Sequence, residues 1–71
     1  MNKYFRLDQV DEGQIFEIVS IEDAHISEKT GAYTGMSVVV LKKALQSIVQ
    51  FGYSQIEVEK ELLKKFQVQP I

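Results

Sequence analysis

The chain has 71 residues, 45% of them apolar, and reads as one small domain that buries only about 60% of the surface its unfolded form exposes. It has no cysteine, which excludes disulfides and thiolate metal sites, and its net charge of −2 argues against a nucleic-acid partner, since phosphate contacts need clustered Lys and Arg. No apolar run nears the roughly 20 residues of a membrane span and the N-terminus lacks a signal-peptide core, so no membrane partner and a soluble, cytoplasmic protein are expected.

In chain order, Tyr4-Phe5-Arg6-Leu7 alternates and predicts a short edge strand over 4–7, closed by the turn-like Asp11-Glu12-Gly13. Ile15, Phe16, Ile18, Val19 and Ile21 give the strongest strand signal; resumed through Ala24-His25-Ile26-Ser27, it predicts a long, bent strand over 14–27. Glu28-Lys29-Thr30-Gly31 reads as a hairpin turn in which Gly31 takes the left-handed backbone position. A return strand over 32–36 follows, with Tyr33 suited to a half-buried sheet face. The stretch Leu7 to Val19 also fits the opening of a small SH3-like barrel, but the helical spacing after it makes that reading less attractive.

That spacing places Val38, Leu41, Leu45, Ile48 and Val49 on one stripe and Lys42, Lys43, Gln46, Ser47 and Gln50 on the other side. It predicts a helix over about 38–51, capped by Ser37 and ended by Gly52, although Val38-Val39-Val40 is also good strand material. Ser54 and Glu57 match the S-x-x-E capping box, and Val58, Leu62 and Phe66 recur at i, i+4 and i+8, predicting a second helix over about 55–66 with a Glu61–Lys65 pair outside. The fold class expected is α+β: a small antiparallel sheet of about three strands followed by two helices on one face, winged-helix-like, as a single domain over 1–71.

Candidate chemistry is sparse. Asp23, His25 and Ser27 share one face of a straight strand, yet neighbours about 6–7 Å apart along a strand lack the mutual geometry of a catalytic triad. One His, no Cys and scattered carboxylates fit no metal spacing, and Gly31 and Gly35 form no phosphate loop, so no catalytic residue, metal or cofactor is expected. Phe51 and Tyr53 around Gly52 read as an exposed contact patch or, in preference, as a plug between helices. Lys60, Lys64 and Lys65 suggest the phosphate-facing stripe of a winged-helix DNA reader, but Glu57, Glu59 and Glu61 interrupt it. Residues 1–35 hold Lys3, Arg6 and Lys29 against seven carboxylates while the remainder is mildly basic, so a basic or mixed peptide suits the sheet half.

Thr30-Gly31-Ala32-Tyr33-Thr34-Gly35, then Met36-Ser37, Gly52 with Ser54, and Phe66-Gln67-Val68 together resemble the PqqD-like family of peptide-recognition elements in the biosynthesis of ribosomally made, modified peptides. The match covers residues 26–68, with Met for the family's Leu and Ser for its Asn, and without the family's third helix. The resemblance implies a non-enzymatic module that captures an extended leader peptide by strand addition, with Ala32, Tyr33, Thr34, Gly35 and Met36 at the receiving edge. The rival readings are a small winged-helix-like DNA-binding regulator, and a homo-oligomeric interaction subunit whose paired edges complete the core.

Overall fold

Alternation, not helical spacing, governs the second half of the chain. The computed structural model describes residues 3–71. Its strands are β1 (Phe5–Arg6), β2 (Ile15–Ile21), β3 (Ser37–Lys42), β4 (Gln46–Phe51), β5 (Ser54–Glu59) and β6 (Phe66–Pro70), with one helix, α1 (Ala24–Thr30), between β2 and β3. Two 3-10 segments, Leu7–Gln9 and Lys60–Lys65, complete it. The six strands form one antiparallel sheet in the order β1-β6-β2-β3-β4-β5, a small SH3-like β fold.

This overturns the α+β, winged-helix-like expectation of three strands and two helices. The predicted helix over 38–51 is the β3–β4 hairpin. Leu45, which a helical stripe would bury, is 86% exposed, while Ser47 from its wet side is fully buried. The inward residues are instead Val38 and Val40, then Ser47, Val49 and Phe51, at period two. Branched side chains at 38–40 favour the pleated conformation, and the stripe seen in the sequence was a coincidence of two periods.

The predicted helix over 55–66 divides into β5, the second 3-10 segment and the start of β6. Gly52 and Tyr53 form a two-residue turn pairing Phe51 with Ser54, with positive φ at Gly52 and none at Tyr53, the pattern of a type II′ hairpin. Ser54 and Glu57 therefore lie in a strand and make no capping box. Nor does Glu61 pair with Lys65: its carboxylate meets Lys64 at 3.2 Å, and Lys65 meets Glu22 at 3.6 Å.

In the first half, the long strand over 14–27 stops at Ile21. The Asp23 carboxylate accepts from the His25 N–H at 2.9 Å and caps α1, which ends where Gly31 (φ +75°) donates to the Ser27 carbonyl at 2.8 Å. Gly31 does take the left-handed conformation, but as a helix terminus and not as a hairpin turn. Residues 32–36 form no strand, and the strand over 4–7 shrinks to Phe5–Arg6 before the first 3-10 segment.

The sheet curls because two bulges bend it, one in β2 between Ile18 and Ser20 and one in β3 between Val40 and Lys42. Its free edges, β1 and β5, both pack against the second 3-10 segment, whose fully buried Leu63 joins Leu7, Phe66 and Val68 in the core. Phe51 and Phe66 pack at 5.3 Å between ring centroids, linking opposite walls. No helix among the described residues is long and apolar enough to cross a membrane.

Candidate interaction cleft

Two exposed tyrosines stand on either side of a cleft of about 560 Å³. One wall is the loop after α1, giving Tyr33, Gly35, Met36 and Ser37; the other is the β4–β5 turn, giving Phe51, Gly52, Tyr53 and Ser54. Tyr53 is fully exposed and Tyr33 is 60% exposed, whereas Phe51 is buried. There are no two helices for an aromatic plug to fill: Phe51 is buried in the core against Phe66, and the turn sends Tyr53 outward.

Both tyrosines are mounted on fixed backbone. Ahead of Tyr33, Ala32 is buried; its carbonyl accepts from Ser27 Oγ and its N–H donates to Thr30 Oγ1 at 3.2 Å. Thr30 Oγ1 in turn donates to the Ile26 carbonyl at 2.7 Å. Behind Tyr33, Met36 donates to the Tyr33 carbonyl at 3.2 Å, and Gly35 and Met36 exchange bonds with Ile18 of β2 at 2.8 and 2.9 Å. Across the cleft, Gly52 donates to the Ser37 carbonyl at 2.9 Å and accepts from Gln50 Nε2 at 3.1 Å.

Met36 lies over Gly52, where an added Cβ would meet its Cε at 3.6 Å, an ordinary contact. No charged side chain lines the cleft. Such a surface offers aromatic faces, two phenolic hydroxyls and a thioether, which suits non-covalent contact with an apolar or neutral segment.

Of the five residues expected at a receiving edge, the structure brings Tyr33, Gly35 and Met36 to the cleft. Ala32 is buried as an anchor, and Thr34 is exposed outside the lining. Residues 32–36 belong to no strand, and within them Gly35 and Met36 bond to Ile18 of β2. The margins of the sheet are β1 and β5, of which β5 is the longer. Tyr53 stands where the contact-patch reading puts it, while Gly52 and Ser54 lie outside the expected site, although Phe51-Gly52-Tyr53-Ser54 between two alternating runs is a hairpin signal.

The other constellations resolve into structure. Asp23 caps α1, Ser27 fixes Ala32, and His25 supplies a backbone N–H to the cap. No three His, Cys, Asp or Glu side chains converge as metal ligands among the described residues. The winged-helix reading loses its recognition helix, with Lys60, Lys64 and Lys65 on a short 3-10 segment.

No protein-family model and no curated protein matches the chain. Solved structures do. The chain is similar to the iron uptake regulatory protein FeoA at 20% identity and TM-score 0.79, covering 94% of this chain and 96% of that one. An FeoA-like protein from Clostridium acetobutylicum aligns at 15% identity and TM-score 0.85, covering 100% and 91%. A manganese-dependent transcriptional repressor aligns at 11% identity and TM-score 0.85 over 100% of this chain but 44% of its own. These neighbours overturn the PqqD-like resemblance, together with the leader-peptide function drawn from it. At these identities the likeness shows the fold, and that fold is the small SH3-like β architecture of FeoA-like proteins.

Proposed function

We propose that this chain is a non-enzymatic interaction domain serving iron uptake in the cytoplasm, and that it docks a partner protein through the Tyr33–Tyr53 cleft. The observation that carries the docking role is the mounting of two solvent-exposed aromatic rings on hydrogen-bonded turns around an uncharged cavity. Aromatic side chains give large contact area at small entropic cost, and turns already ordered in the free protein lower that cost further. The iron-uptake setting is supported by the near full-length fold likeness to FeoA in both directions.

The test is complementation in a strain lacking the gene, with cellular iron accumulation as the readout. The wild-type chain restores accumulation, and the Tyr33→Ala/Tyr53→Ala chain does not, while its Tm stays within about 4 °C because neither ring belongs to the core. Full restoration by the double variant would exclude the cleft. Unchanged iron accumulation in the deletion strain would exclude iron uptake.

A further inference from the structure

One groove gathers three of the chain's cations, each resting on a carboxylate: Arg6 on Asp8, Lys64 on Glu61 and Lys65 on Glu22. Arg6 of β1, Ser20 of β2, Glu22, Lys64 and Lys65 of the second 3-10 segment, and Gln67 of β6 line a pocket of about 460 Å³. Three cations and one carboxylate meet there, in a chain whose net charge is −2. We propose that this groove is a binding site for a compact, phosphate-class oxyanion, distinct from the tyrosine cleft and independent of the function assigned to it.

The geometry supplies the donors such a ligand needs. Arg6 spends Nε and Nη2 on Asp8, at 3.1 and 3.4 Å, and the guanidinium keeps further N–H groups for a second acceptor. Lys64 and Lys65 are held only by exposed carboxylates, Glu61 and Glu22. Ion pairs of that kind contribute little, so an anion entering the groove displaces them readily. Ser20 Oγ and the Gln67 amide add neutral donors; they hydrogen-bond each other at a long 3.4 Å, leaving both easily redirected.

The β2 bulge is what assembles this set. The register shift between Ile18 and Ser20 sets Ser20 opposite Gln67, where an unbroken ladder would have carried the pairing past it. The lining has no aromatic or aliphatic side chain on which a base or acyl chain would rest. A tetrahedral oxyanion presents more acceptor oxygens to five separated donors than one carboxylate does, which favours phosphate chemistry.

Isotope-labelled protein titrated at fixed ionic strength tests this, with inorganic phosphate, pyrophosphate, and phosphatidylcholine vesicles with and without phosphatidic acid as separate arms. Saturable shifts at the amides of Ser20, Lys65 and Gln67 are expected. Saturation by free anions identifies a soluble ligand, and saturation by phosphatidic acid vesicles alone identifies a lipid headgroup; either supports the site. Lys64→Gln/Lys65→Gln should weaken binding at least about tenfold. Lys29→Gln/Lys42→Gln, with the same net charge, should change it less than about twofold, because exposed charges outside the lining are screened. Shifts that never saturate in any arm, or equal weakening by both double variants, overturn the proposal.

Discussion

Gly52 carries a φ of +60° at the first position of its turn, a conformation that costs an L residue roughly 1–2 kcal/mol. Space is not the obstacle at this position, since an added Cβ would make only ordinary contact with Met36. Gly52→Ala is therefore expected to lower stability by about that amount through backbone strain, or about 4–16 °C in Tm for a domain of this size, measured by thermal melting. Gly52→Asn should recover part of the loss, because Asn tolerates left-handed backbone better. Single residues of this sort were partly legible. Gly31 was read as left-handed and is, but the sequence could not show whether a helix or a strand led into it. Tyr33 reads as a half-buried sheet residue and is instead 60% exposed, because it lies in the loop between α1 and β3 and in no strand.

At the scale of elements, two ambiguities explain the misreadings. Val38 to Val49 satisfies both helical and alternating templates, and the deciding residues are Leu45 and Ser47, whose burial is the reverse of a helix's demand. Ser47 is buried because its hydroxyl donates to the Ala44 carbonyl at 2.8 Å and accepts from the Ala44 N–H at 3.2 Å, closing the β3–β4 turn. Ser47→Ala should cost about 1–2 kcal/mol by leaving those groups unpartnered, and hydrogen exchange should show earlier opening of this hairpin. The second ambiguity is Asp23-Ala24-His25-Ile26-Ser27, where apolar residues alternate and yet an Asp precedes a helix. Capping decided it. Asp23→Ala is expected to cost about 1 kcal/mol and, since Ser27 and Thr30 hold Ala32, to mobilise Tyr33 as well. Relaxation measurements at Tyr33 check this: an unchanged loop would show that β2 alone holds it in place. The bonds from Gly35 and Met36 to Ile18 were not legible at all, because they join segments remote in sequence.

For the whole molecule, the second 3-10 segment governs closure. A 71-residue domain has a net stability of only about 4–11 kcal/mol, so one core position is a large share of it. Lys60–Lys65 lies against both free edges of the sheet and buries Leu63 completely beside the first 3-10 segment. As a sequence, Lys60 to Lys65 reads as helix, and only the closed sheet shows why a short 3-10 piece belongs there: it spans the seam between β1 and β5 that no strand pairing fills. Leu63→Ala removes the apolar contact across that seam and is expected to cost about 2–5 kcal/mol, near the top of that range where the cavity cannot collapse. Loss of the seam also loosens β5, whose outer edge has no strand beside it. Denaturant melts should therefore show the lower midpoint, and sedimentation should show stronger concentration-dependent association of the variant than of the wild-type chain under the same conditions. If Leu63→Ala lowered the midpoint but associated no more than the wild type, the 3-10 segment would stabilise the core without shielding the edge. If the midpoint held, the seam would be closed by Leu7 and Phe66 alone.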